Sequence, residues 1–324
     1  MPPNDSTMTS TDFLPVMVTG ERRSGTTLVA NFLNSQDGFS VHSDLLRSLF
    51  AEAQRLEITD AGKPLSERER NILLSNLEAE GLETGMPFFS EIPREKCHRW
   101  IDIYMEALGT LRADNDVVGS KVTGSYDLLP ELLQWGVRIV FCIRDPRDVC
   151  LSAMNRFSGY DLFDFVTAWK RSVEVARRLQ GHENFHLVRF EDLVSEDREA
   201  ELARLSTFLG RSIDMAAEPT HRSSGGFKAN SSFGDVLKPF DPAARDRWKR
   251  VDQNLPEVVF PTRYLAAELE EFGYERPTTT NHNYGRLTAA YRQYLLTRRL
   301  ARGARDARKF IRGVLSQSAL RPQK

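Results

Sequence analysis

Val16-Met17-Val18-Thr19-Gly20-Glu21-Arg22-Arg23-Ser24-Gly25-Thr26-Thr27-Leu28 decides the fold of this 324-residue chain. A short β-branched run passes into a turn with two glycines. An apolar pattern at helical spacing follows, in Leu28, Val29, Phe32 and Leu33. Strand, glycine turn and helix in that order outline an anion site. Glycines let backbone N–H groups approach closely, and the helix N-terminus adds partial positive charge. Gly20, Gly25 and Thr27 keep the phosphate-loop spacing G-x-x-x-x-G-K-[ST], but Thr26 stands at the lysine position and Arg23 supplies a cation from inside the loop. Kinases and ATPases set that lysine on the β- and γ-phosphates, with Mg²⁺ on the next hydroxyl, so its loss argues against ATP chemistry.

A second segment carries the same kind of chemistry. Val137-Arg138-Ile139-Val140-Phe141-Cys142-Ile143 is almost continuously apolar, as expected of a strand buried on both faces of a parallel sheet. It runs into Arg144-Asp145-Pro146-Arg147-Asp148, with Asp145 placed to cap a helix and Pro146 to open it. Ser152 follows eight residues after Arg144. A guanidinium forks onto a phosphate dianion, and a hydroxyl adds one more donor. Two such sites suit a ligand with two separate anionic groups.

Together the two segments resemble the sulfotransferases that use 3′-phosphoadenosine 5′-phosphosulfate, in motif style the bacterial and tyrosylprotein types. Arg23-Ser24-Gly25-Thr26-Thr27-Leu28 resembles their 5′-phosphosulfate loop, and Arg144 to Ser152 their 3′-phosphate motif R-[DN]-P-x-D-x₃-S. The likeness extends over roughly residues 14–275. It implies that Arg22, Arg23, Ser24, Gly25, Thr26 and Thr27 hold the 5′-phosphosulfate and that Arg144 and Ser152 hold the 3′-phosphate. Asp44, 21 residues after Arg23, matches the offset of the general-base glutamate of tyrosylprotein sulfotransferases. His42 competes for that role, and a helix N-cap ahead of Leu45, Leu46, Leu49 and Phe50 is the competing use of Asp44. By the same resemblance Lys121, at the end of the strand Val117-Val118-Gly119-Ser120-Lys121, steadies the transferring sulfuryl group together with Arg23. The Ser- and Gly-rich stretch from His221 to Phe240 resembles a loop that closes over the nucleotide, with Ser231 or Ser232, Lys238 and, loosely, Arg222 as donors. The implied reaction is in-line sulfuryl transfer to a hydroxyl or amine acceptor, without a metal. An atypical phosphate-loop kinase and a non-catalytic nucleotide-binding module are the alternatives.

The remaining sequence bounds this reading. The fold class is α/β: a phosphate-loop-type three-layer fold with a mostly parallel sheet and helices on both faces. Residues 1–12 read as a loose polar tail, 13–276 as the sulfotransferase domain and 277–324 as a basic, helical extension. The extension carries eleven Lys and Arg against Asp306 alone, so the rest of a chain of formal charge −1 is acidic. That balance gives no nucleic-acid signature, but the tail suits an anionic membrane surface, an acidic partner or the chain's own body. No run nears the ~18 apolar residues of a membrane span. Cys97, Cys142 and Cys150, sparse and odd in number, fit a reducing, cytoplasmic setting better than a disulfide framework. In the resembled family the segment after the first helix forms the acceptor side of the cleft. Here that is 51–116, where Phe88, Phe89 and Trp100 are the pocket candidates and core packing is their other use. Small-molecule, carbohydrate, lipid and peptide acceptors all remain open.

Overall fold

A strand that is apolar on both sides needs cover on both sides, and the sheet has it. The computed structural model describes residues 12–217, 219, 240–276 and 284–300. Strands β1 (Leu14–Gly20), β2 (Phe39–Ser43), β3 (Val117–Lys121), β4 (Arg138–Ile143) and β5 (Phe185–Arg189) form one sheet in the order β2-β3-β1-β4-β5. Every pairing in it is parallel. The connections carry α1 (Thr26–Asn34), α2 (Arg47–Arg55), α3 (Glu67–Thr84), α4 (Trp100–Thr110), α5 (Leu129–Gln134), α6 (Pro146–Met154) and α7 (Leu162–Leu179). After β5 come α8 (Phe190–Leu193), α9 (Arg198–Leu209), α10 (Pro256–Tyr264), α11 (Ala266–Glu271) and a helix α12 over 284–300.

The two-residue period of the strands sorts their side chains into separate cores. Val16 and Val18 of β1, with Val140 and Cys142 of β4, pack under Leu28, Phe32 and Leu33 of α1 and Leu202, Leu205 and Leu209 of α9. Met17, Ile139 and Phe141 face the other way, into a core filled by α2, α3, α4 and α5. A third cluster joins α6, α7, α10, α11 and α12 around Trp169, Phe260 and Tyr291. The three-layer α/β expectation is therefore met. Phe89 and Trp100 lie in the second of these cores with Phe88 packed against it, so their packing use is the observed one.

Local signals set most element ends. Ser66 and Glu69 form a reciprocal capping box at the start of α3, as their spacing predicts. Asp145 accepts from the Arg147 N–H and Pro146 opens α6. Gly210, at φ 63°, closes α9. Asp44 does not cap α2. The chain instead takes left-handed φ values at Asp44 (63°) and Leu46 (64°), and α2 begins only at Arg47. The open N–H groups of Arg47 and Ser48 donate to the Glu80 carboxylate of α3, at 3.1 and 2.9 Å. With capping supplied from another helix, Asp44 stays at the sheet edge, its own N–H donating to the Lys121 carbonyl at 3.1 Å.

Candidate active site

In an open parallel sheet, ligands bind beyond the carboxyl ends of the strands. Register brings four such ends together here: Gly20 pairs with Cys142, Val18 with Lys121, and Ser43 with Lys121. The segment leaving β1 is the loop Glu21 to Gly25. The glycines that bound it, Gly20 and Gly25, are both obligatory. A Cβ on Gly20, at φ 143°, would stand 2.2 Å from the Cys142 carbonyl oxygen, and one on Gly25, at φ 93°, 2.5 Å from the Phe190 ring. Gly25 starts α1 without a side-chain cap, so the first N–H groups of that helix point out of the loop. The Ser24 hydroxyl is buried with no hydrogen-bond partner. In chemical terms this is a cradle for an anion: donors gathered at a helix N-terminus.

The two sequence motifs meet directly. Arg23, held in the left-handed region at φ 74°, reaches from the β1 loop to α6 and donates to the Ser152 hydroxyl through Nε at 2.9 Å and through a terminal nitrogen at 2.8 Å. Arg144 leaves β4 beside it. One of its terminal nitrogens donates to the Arg23 carbonyl at 3.2 Å, the other to the Ala244 carbonyl, and its guanidinium lies 4.2 Å from the Phe190 ring centre. Its own carbonyl accepts the Trp169 indole N–H at 2.8 Å. Its Nε is buried and unpartnered. Trp169, buried in the third cluster, thus also fixes Arg144.

Across the loop, Lys121 forms an ion pair with Asp44 and lies 3.5 Å from the Thr27 hydroxyl. The Lys121 side chain is 3% exposed and that of Asp44 26%, so a buried ammonium is held by a carboxylate that still meets the cleft. His42 lies one strand position further back. Its Nε2 is 2.9 Å from the Ser40 hydroxyl, and burial pushes its pKa down to about 4. It is absent from the cleft wall, whereas Asp44 forms part of it.

The cleft is a cavity of about 980 Å³ into which Arg22, Arg23, Gly25, Thr26, Thr27, Asp44, Lys121, Arg144 and Ser152 all open. Arg22 leans over the Phe165 ring at 5.0 Å. Two arginines that the motifs did not single out, Arg156 and Arg247, share the wall. Burial, and then the charges of Arg144, Arg156 and Arg247, push the Arg23 pKa down to about 10. Burial likewise lowers that of Arg144, against the opposing pull of Asp148. Cations gathered this closely would be stabilised by a bound anion. Arg156 lies two residues beyond α6 and Arg247 in the segment tied to α6 by Asp148, which accepts the N–H groups of Arg247 and Trp248 at 3.3 and 2.9 Å. Tertiary ties of this kind bring Arg247 in, and no local pattern announces it. Glu21 is a further unpredicted wall residue. Burial raises its pKa, and it accepts from the Tyr126 hydroxyl at 3.3 Å.

No residue from 51–116 reaches the cavity wall. α7 lines the cavity instead, through Asp164, Thr167, Ala168 and Arg171 at i, i+3, i+4 and i+7. Arg222, Ser231, Ser232 and Lys238 lie outside the described residues, as do the tail positions after 300. Among the described residues no group of three or more His, Cys, Asp or Glu is set to hold a metal ion. No described helix is long and apolar enough to cross a membrane.

Comparison with known proteins points one way. A family model described as the sulfotransferase family matches residues 15–215. No curated protein matches the chain. Among solved structures it is similar to a sulfotransferase domain from the curacin biosynthetic pathway, with a TM-score of 0.55 and 18% identity over 82% of this chain and 100% of that one. It is also similar to the sulfotransferase domain of the Synechococcus PCC 7002 olefin synthase, with a TM-score of 0.49 and 20% identity over 83% and 98%. A third, mouse sulfotransferase SULT7A1 complexed with PAP, aligns with a TM-score of 0.35 and 15% identity over 63% and 60%.

Proposed function

The chain belongs to the sulfotransferase family, and on that premise we propose that it moves a sulfuryl group from 3′-phosphoadenosine 5′-phosphosulfate to a hydroxyl or amine acceptor. The observation that carries this is the junction of the two anion motifs. Arg23 of the first bonds Ser152 of the second, while Ser24 Oγ and Arg144 Nε are buried donors without partners. Two anion sites a side chain apart, one on each of two adjacent strands, fit a donor with phosphate at both ends of its ribose. The donor supplies an activated sulfuryl group on its 5′-phosphate.

The residues divide the work. Ser24, Gly25, Thr26 and Thr27 offer hydroxyl and backbone donors to the 5′-phosphosulfate, with Arg22 at the loop's outer edge. Arg144 and Ser152 take the 3′-phosphate, and Arg156 and Arg247 add to its field. Arg23 is released from Ser152 when that hydroxyl turns to the phosphate, which frees its guanidinium for the charge growing on the leaving phosphate. Asp44 takes the acceptor proton. The new bond joins the acceptor oxygen or nitrogen to sulfur as the bond from sulfur to the 5′-phosphate oxygen breaks. Lys121, between Asp44 and Thr27, steadies the sulfuryl oxygens as they pass.

The test is thermal stabilisation by 3′,5′-adenosine bisphosphate against ADP and Mg·ATP at equal concentration. A ligand that binds only the folded state raises the melting temperature by mass action. Selective stabilisation by the bisphosphate, unaffected by chelator, is the expected result. Preference for Mg·ATP would move the kinase alternative to first place.

A further inference from the structure

The helix α12 is held to the body by one face and leaves the other bare. Its anchor is Tyr291, 4% exposed and set among Phe163, Phe260 and Tyr264 at ring-centre distances of 5.3, 5.1 and 4.8 Å. The Tyr291 hydroxyl is 3.0 Å from that of Thr167. Tyr294 donates to the Asp164 carboxylate, and one turn further Arg298 pairs with the same carboxylate. With Tyr284 and Leu287 packed on the same cluster, these positions mark the inner face. On the outer face Leu296 and Leu300, one turn apart, are 60% and 66% exposed, and Leu295 beside them is 41% exposed. Large apolar side chains are otherwise scattered singly over the described surface, at Leu82, Met154 and Val251, so the leucines of α12 form a local patch.

The helical repeat sets guanidinium groups on both flanks of that patch. At about 100° per residue, Arg292 and Arg299 fall to one side of Leu296 and Leu300, and Arg286 to the other. All three are exposed, and none makes an ion pair among the described residues. No Asp or Glu stands between Arg276 and Asp306. Past residue 300 the sequence adds Arg302, Arg305, Arg308, Lys309 and Arg312, and the spacing begun by Leu296 and Leu300 recurs at Ala304, Ala307, Ile311 and Val314. A narrow apolar stripe between rows of arginine suits a helix lying in the plane of a bilayer surface. The leucines enter the acyl boundary while the guanidinium heads stay at the level of the lipid phosphates. A second copy docked by this face about a two-fold axis would set arginine against arginine. The acidic remainder of the chain is repelled by an anionic bilayer, so attraction is confined to this end.

We propose that the outer face of α12 docks on an anionic membrane surface, through Leu296 and Leu300 with Arg286, Arg292 and Arg299 around them. Arg298 of the inner face belongs to the cleft wall, so the docked bilayer would lie about 10 Å, one helix diameter, from that wall. The test is co-sedimentation of the full chain with vesicles of phosphatidylserine and phosphatidylcholine in equal parts, and with vesicles of phosphatidylcholine alone. Binding to the first and not the second, weakened by salt, is the expected result. Leu296→Ser with Leu300→Ser should lower the partition coefficient by roughly ten- to a hundredfold, with the melting temperature unchanged because both side chains are already in water. Arg292→Gln with Arg299→Gln should lower it by about tenfold or more. Binding that survives the leucine substitutions would assign the attraction to charge past residue 300 and overturn the proposal. Equal binding to both vesicles, or to neither, overturns it as well. A dimer that the leucine substitutions dissolve, without vesicle binding, would give the face to a second copy instead. None of these outcomes depends on the nucleotide, so the donor reading stands or falls separately.

Discussion

Removing the Arg144 guanidinium should cost affinity only for ligands that carry a 3′-phosphate. The side chain is pre-set for one. It is 6% exposed, fixed by the Phe190 ring and the Trp169 contact to its own carbonyl, and its Nε has no partner. A hydrogen bond to a charged group contributes about 1.5–3 kcal/mol. A fork onto a dianion should therefore be worth roughly 3–4 kcal/mol, or some hundred- to a thousandfold in Kd. Truncation also removes bonds that hold the fold, to the carbonyls of Arg23 and Ala244. Melting temperature alone would mix the two effects. A cycle separates them: calorimetric Kd values for 3′,5′-adenosine bisphosphate and for adenosine 5′-monophosphate, each on wild type and Arg144→Ala. The monophosphate should lose little on mutation and the bisphosphate nearly everything, giving a coupling of about 3 kcal/mol. Parallel losses for both ligands, with coupling inside about 0.5 kcal/mol, would refute the assignment.

Asp44→Asn should lower kcat by about 10²–10⁴ with the bisphosphate Kd little changed, since Asn also tolerates the left-handed backbone; full turnover in steady-state assays would take the base role from Asp44. Gly20→Ala should destabilise by roughly 3 kcal/mol or more, because the new Cβ meets a strand carbonyl rather than a movable side chain, and a urea midpoint equal to that of wild type would contradict it. Glu191 is fully enclosed, accepts the Asp145 N–H at 2.9 Å, and burial raises its pKa to about 7. A raised carboxylate favours the folded state while protonated. Its contribution is complete below the open-chain value of about 4.3 and is lost as pH climbs to 7, by up to ~3 kcal/mol. Glu191→Gln should flatten that part of the stability profile, and an unchanged slope between pH 5 and about 7 in denaturant titrations would count against it.

The layers of the fold were legible because the strands are short and apolar on both sides. Val137 to Ile143 cannot be an edge or a one-faced strand, and the glycine turns after β1 admit few backbones. The meeting of the two motifs was legible for a related reason: their residues sit within a few positions of a strand end, so spacing along the chain is spacing in space. Arg23 and Ser152 come from different motifs but from adjacent strands, and the sheet order does the rest. Asp44 illustrates the limit. Its sequence surroundings fit a helix cap, and only the Glu80 carboxylate, 36 residues away and on another helix, relieves it of that duty.

The α7 side of the cleft was hidden because it is assembled from polar faces that a sequence presents as solvent-facing. Asp164 and Arg171 fall on the hydrophilic side of α7, and an amphipathic pattern states which side is apolar without saying what the other side meets. α12 supplies that missing fact. Its tyrosines look like the buried stripe of any packed helix, and its arginines look like a solvated tail. Yet once Tyr291 is seated against Phe163 and Phe260, the helical repeat obliges Tyr294 and Arg298 to fall on Asp164. Docking of one aromatic residue thus fixes the place of a charge two turns away. A Tyr291→Ala variant should consequently destabilise the protein by about 3–5 kcal/mol and loosen Arg298 from Asp164, although it removes no group from the cavity wall. A urea midpoint equal to that of wild type would break that link between the aromatic core and the wall.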